Sequence, residues 1–155
     1  GGAYKFLKDI MKNYSNYDYI FISSKKQLYD TIFNKKDIFI LQNFLYTDIE
    51  VSDFNAVYEK NKFKLYIQIH DFQWLCVNQH NYSYKIPNSY LDNNIEILPD
   101  VKYLWSKAHT IIMNSQFTYD IYSKYFDTSN FVLSSLPDYN IKSGIKNIPE
   151  IKNPR

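Results

Sequence analysis

One cysteine, Cys76, stands in 155 residues. It excludes an internal disulfide framework and fits a reducing compartment, so the chain is expected in the cytoplasm. No apolar run is long enough to cross a bilayer as a helix, and no signal peptide is visible. Acids and bases are mixed along the chain, the formal net charge is +2, and no block of one sign occurs. That balance gives no electrostatic case for nucleic acid as the main partner. Glycine is scarce, three residues in all, and no glycine-rich phosphate loop ends in Lys-Ser or Lys-Thr. Internal repeats and low-complexity tracts are also missing.

Aromatic residues, by contrast, make up 19% of the chain, most of them tyrosine. Tyrosine is abundant alongside Asn, Lys and Ile, a pattern of AT-biased coding. Most tyrosine rings are therefore expected at the core margin with the hydroxyl outward.

Apolar spacing divides the chain into alternating helices and strands. Ala3, Phe6, Leu7, Ile10, Met11 and Tyr14 recur at helical spacing, with Lys5, Lys8, Asp9 and Lys12 opposite. This predicts an amphipathic helix with one buried face. Tyr17 to Ser23 reads as a strand centred on Ile20, Phe21 and Ile22. Ser24 and Gln27 form a capping box for the next helix. Asp37 to Gln42 reads as a short buried strand. Thr47 with Glu50 reads as a second capping box, opening a helix that carries Val51, Phe54, Val57 and Tyr58.

Phe63 to Ile69 is an apolar run that reads as a buried central strand, and His70-Asp71 closes it. Residues 77–97 read as a long polar loop, of the kind that is functional or mobile. Pro99 starts a helix with Val101, Leu104 and Trp105. Thr110 to Asn114 is a strand. Ser115 can cap the following helix, on which Phe117, Ile121 and Tyr125 share a face. Phe131 to Ser134 is a last strand. Residues 1–135 thus form one domain, and 136–155, punctuated by Pro137, Gly144, Pro149 and Pro154, form a linker or edge segment. The alternation predicts an α/β fold with a parallel sheet flanked by helices.

The carboxyl edge of such a sheet is where ligands bind, which makes His70 and Asp71 the candidate catalytic residues. Asp71 either orients the imidazole, binds hydroxyls, or caps the turn that follows. Ser115 is a polar contact at the next strand end or a plain helix cap. Phe72 and Trp74 are core or loop-packing residues, or aromatic platforms for a ligand. Three other chemistries drop out. A metal phosphohydrolase built on His-Asp needs an upstream histidine, and His70 is the first in the chain. His70, His80 and His109 have no zinc-ligand spacing. Cys76 lies in an apolar setting with nothing to activate its thiol.

Taken in order, four segments resemble the amino-terminal half of a GT-B glycosyltransferase, most like family 4. Gly1-Gly2-Ala3 resembles the turn after the family's first strand. Ile69-His70-Asp71-Phe72, with Cys76 following, resembles its strand-end His-Asp segment, although Val77 replaces the usual proline. Ala108 to Ser115 resembles a stretch ending in Ser before a helix, with His109 in the place of an acid. Pro149 to Arg155 resembles the approach to a second domain.

The resemblance implies a Rossmann-like fold, one half of the GT-B pair, with the strand ahead of Gly1 lying upstream. Alternatively, Gly1-Gly2 is a cloning remnant. It implies transfer of a sugar from a nucleotide sugar to a hydroxyl of a glycan, lipid or protein acceptor, with retention. No metal and no resident cofactor is implied, since the nucleotide sugar is a co-substrate. Gly1, Gly2, Ala3 and Ser115 become candidate donor or substrate contacts. A carboxyl-terminal domain would supply most of the nucleotide-sugar site, so this half alone is expected to be inactive. The competing reading is a non-catalytic α/β binding or interaction module.

Overall fold

The computed structural model describes residues 2–44, 47–75 and 96–134. Ten elements follow along the chain: α1 (Gly2–Asn13), α2 (Lys25–Asp30), β1 (Ile38–Leu41), α3 (Val51–Asn61), β2 (Lys64–Gln68), a short 3-10 turn (Gln73–Leu75), α4 (Pro99–Lys107), β3 (Thr110–Met113), α5 (Gln116–Tyr122) and β4 (Phe131–Leu133). The strands form one parallel sheet in the order β1-β2-β3-β4. This is a Rossmann-like α/β fold, as the alternation predicts.

Strictly sequential order has a geometric consequence. Every strand-to-strand crossover steps in the same direction, and parallel crossovers are right-handed, so α3, α4 and α5 lie on one face. The core shows which strand residues face them. Leu41, Leu65, Ile67, Ile69, Ile111 and Met113 cluster with Val51, Phe54, Val57, Val101, Leu104, Trp105, Ile121 and Tyr122. The register pairs Leu41 with Ile67 and Ile67 with Ile111, so these side chains share one face. The opposite parity carries Ile40, Gln42, Tyr66, Gln68 and Ile112. Tyr66 and Gln68 are buried as well, which makes β2 covered on both faces, as its largely apolar run anticipates.

Local chemistry explains most boundaries. Ser24 caps α2 by accepting from the Gln27 N–H, and the Gln27 amide oxygen accepts in turn from the Ser23 N–H. Asp53 fixes the start of α3, its carboxylate accepting from the Glu50 N–H at 3.0 Å. The cap of α3 is therefore Glu50 with Asp53, not Thr47 with Glu50. The Thr47 hydroxyl turns back to the Phe44 carbonyl and serves the preceding turn. Lys25 pairs with Asp53 at 3.0 Å and Tyr29 donates to it, tying α2 to α3. Scarce glycine shows at the end of α3, where Lys62 takes the left-handed conformation (φ 54°) that glycine usually fills.

Three further expectations are corrected. Tyr17 to Ser23 is not a strand. Ile20 and Phe21 are 72% and 52% exposed, and only Ile22 packs on the core. Its residues favour extended backbone, but a strand needs a ladder partner, and no described strand pairs with it. On α5 the buried residues are Thr118, Ile121 and Tyr122, while Phe117 is 58% exposed, so the inward face is turned from the one expected. In α1, Leu7, Ile10 and Met11 are half-buried and none joins the core, while Lys5, Lys8 and Lys12 are exposed. The linker at 136–155 and nearly all of the 77–97 loop lie outside the described residues.

Two substitutions separate the true core strand from the apolar segment outside the sheet. Ile67→Ala should destabilise the domain by about 2–5 kcal/mol, because Ile67 is fully buried. Ile20→Ala should change it by less than about 0.5 kcal/mol. Urea unfolding of both variants checks this, and equal losses would restore Ile20 to the core.

Candidate functional site

His70 follows directly on the central strand, at its carboxyl end. The turn that holds it is fixed from three sides. The Asp71 carboxylate accepts from the Gln73 N–H at 3.0 Å, closing a local side-chain turn. The Tyr122 hydroxyl, from α5, donates to the Asp71 carbonyl at 2.7 Å. The Gln73 side-chain oxygen accepts from the Phe44 N–H beyond β1 at 3.3 Å. Below the turn, aromatic rings run from β1 to α5 as Phe44, Trp74, Trp105 and Tyr122, with successive centroids 5.6, 6.2 and 5.0 Å apart. Trp74 is thus a core residue at 2% exposure, not a platform for a ligand. Phe72 is half-buried and stacks on Tyr122.

The imidazole belongs to a polar ladder on the sheet face away from α3, α4 and α5. Its Nε2 meets the side-chain oxygen of Gln42, which follows β1. The Gln42 amide then donates to the Gln68 oxygen at 2.8 Å. Strand geometry produces this contact. Gln42 and Gln68 extend the register that pairs Leu41 with Ile67, and His70, two residues on, is the diagonal neighbour.

The same register, run on from Gln68 and Ile112, brings Asn114 opposite His70. Its side-chain oxygen is buried and has no hydrogen-bond partner among the described residues. A buried acceptor without a donor costs about 1–3 kcal/mol and marks a position that a ligand or water can satisfy.

Burial alone pushes the His70 imidazole below its ordinary value of 6.5, so the ring is neutral at pH 7. Burial raises the Asp71 carboxyl, and hydrogen bonding with Gln73 pulls it partly back.

His70 and Asp71 therefore stand together, but in different roles. Asp71 spends its carboxylate on the turn, the capping alternative that the sequence leaves open. Ser115 sits one strand over and is the N-cap of α5, accepting from the Thr118 N–H at 3.1 Å. Gly2 and Ala3 occupy the first turn of α1, and none of the hydrogen bonds around His70 reaches that helix. Gly1 and Cys76 lie outside the described residues. Sequence reasoning missed Gln42, Gln68 and Asn114. The available signal was their place at or just past strand ends on one parity, which a two-residue repeat makes readable once the strands are paired. Among the described residues no group of three His, Cys, Asp or Glu side chains converges to hold a metal. No described helix is long and apolar enough to cross a membrane.

The fold and this edge define the class: an α/β domain with a four-stranded parallel sheet and a polar cluster at its carboxyl end. No family model, no curated protein and no solved structure matches the chain.

Depressed imidazole basicity gives stability a definite pH sense. The unfolded chain takes up this proton first as pH falls. Stability carried by neutral His70 is thus present above about pH 6.5 and lost as pH drops through the folded value. Asp71 acts oppositely, losing stability as pH rises through its raised value, but it is common to the wild type and a His70→Gln variant. Between pH 7 and pH 5, wild type should lose more stability than His70→Gln in urea unfolding. Parallel losses would show that the ring is not desolvated.

Proposed function

We propose that this chain is the acceptor-side half of a GT-B glycosyltransferase of the family 4 type. The observation that carries the reading is a neutral, half-buried histidine at the carboxyl end of the central strand, with a side-chain oxygen on Asn114, at the next strand end, that no described residue satisfies. Both groups suit hydroxyls, the dominant hydrogen-bonding groups of a sugar. The order of the motifs along the sheet supports it too, since His70-Asp71 and Ser115 follow adjacent strands, as the resemblance implies.

In the proposed reaction the bond from the sugar's anomeric carbon to the diphosphate breaks. A bond to the acceptor oxygen forms, with retention, and the acceptor's proton passes to the departing diphosphate. His70 hydrogen-bonds a hydroxyl of the transferred sugar and holds it in place through the reaction. Asp71 acts at one remove by shaping the turn that carries the ring. The negative charge growing on the diphosphate calls for backbone N–H donors. Gly2 and Ala3, with N–H groups in the first turn of α1, are the candidates in this chain, and Gly1 would extend the turn. Most of the nucleotide-sugar site would come from a second, carboxyl-terminal domain. The donor is a nucleotide sugar and the acceptor a hydroxyl of a glycan, lipid or protein.

Titration of the complete gene product with nucleotide sugars tests the reading. Saturable binding is expected, and His70→Ala should weaken it at least tenfold. Binding and turnover unchanged in that variant would remove His70 from the site. No binding of any nucleotide sugar would favour the non-catalytic module.

A further inference from the structure

We propose that Gln42 and Gln68 are positioning residues that lock the His70 imidazole as its Nε2–H tautomer and leave Nδ1 as a bare hydrogen-bond acceptor. The proposal rests on the reading of His70 as a ligand contact, and it decides which way the hydrogen bond to that ligand runs.

The argument is one of donors and acceptors. An amide oxygen can only accept, so the ring nitrogen that faces the Gln42 oxygen must carry hydrogen. The Gln42 amide bridges two neighbours at once. With its oxygen on His70, its NH2 is aimed at Gln68, whose oxygen accepts at 2.8 Å. Reversing the tautomer would place the NH2 of Gln42 against His70, and its oxygen would then need a donor from Gln68. Both glutamine amides must therefore turn together, while the ring changes only which nitrogen holds the proton. Gln68 is 2% exposed on the central strand, and its amide is tied to that of Gln42 by their shared hydrogen bond.

Burial keeps the ring neutral, so one nitrogen carries the proton and the other does not. Nδ1 has no hydrogen-bond partner among the described residues. The Asn114 oxygen on the same face is likewise an unfilled acceptor. Two acceptors welcome hydroxyl donors and repel phosphate oxygens. The transferred sugar, rather than its diphosphate, is thus the part of a nucleotide sugar that this face suits. Neither glutamine touches the ligand in this scheme, and each acts through the ring.

Tautomers are read directly from the nitrogen shifts of histidine rings. The test is a long-range proton–nitrogen spectrum of the full chain, labelled with nitrogen-15, at pH 8 and without ligand. The His70 signals are identified by their loss in His70→Gln. Wild type should show Nε2 protonated and Nδ1 bare, with their shifts fully separated. In Gln42→Met the separation should shrink as both tautomers populate, and Gln68→Met should move it the same way. Gln42→Glu keeps an oxygen acceptor in place and should retain the proton on Nε2.

A proton on Nδ1 in the wild type would overturn the proposal, as would an unchanged spectrum in Gln42→Met. The wild-type spectrum alone can refute it, so the test does not depend on the variants folding. Since no ligand is present, a failed tautomer test leaves the transferase reading standing. Absent nucleotide-sugar binding with the tautomer intact would instead strike that reading alone.

Discussion

Burial of β2 on both faces is the constraint from which the rest of the structure follows. Leu65, Ile67 and Ile69 point into the helix layer, and Tyr66 and Gln68 are buried on the other side. A strand so enclosed cannot slip by one residue, because the slip would exchange every side chain between faces. The register of β1 and β3 against it is thereby fixed, and with it the neighbours of His70. The position of the imidazole is inherited from the best-packed strand of the domain, where a displacement would disturb the whole sheet.

Aromatic packing extends that rigidity to the turn after β2. Trp105, on α4, stacks closely on Phe126, at 3.9 Å between centroids, and also contacts Tyr122. Tyr122 in turn holds the Asp71 carbonyl through its hydroxyl. One side chain thus joins the apolar core to the polar edge. The fully buried ring of Tyr122 shows a use of tyrosine other than the margin role that composition suggests. A buried phenol needs an acceptor, and the turn provides one. The turn that carries His70 is thereby supported from behind.

The polar ladder is the costly part of the design. Gln42, Gln68, His70 and Asn114 occupy positions that apolar residues would fill with less penalty, and the Asn114 oxygen has no donor among the described residues. Sheets accept such a departure at functional edges more readily than in a purely structural core. The aromatic layer and the capped helices supply the stability against which it is set. This contrast, an apolar face packed for stability and a polar face at the strand ends, underlies the proposed role in binding hydroxyls.

Much was legible in the residues taken alone. The alternation of apolar runs gave the α/β class. The largely apolar run leading to His70 located the central strand, and Ser24 and Ser115 marked two helix starts. Those features depend on neighbours within a few positions, where side-chain period and capping chemistry act. The failures had the opposite cause. Tyr17 to Ser23 has the composition of a strand but no ladder partner among the described strands, and strand pairing is a long-range event. The inward face of α5 was set by the sheet it packs on, not by its own spacing. Gln42 and Asn114 looked like ordinary polar residues until β1 and β3 were laid beside β2. The chain by itself determined most of the elements and the histidine at a strand's end. Only the tertiary structure decided what that histidine meets, because Gln42 lies 28 residues away along the chain and is brought to it by sheet register alone.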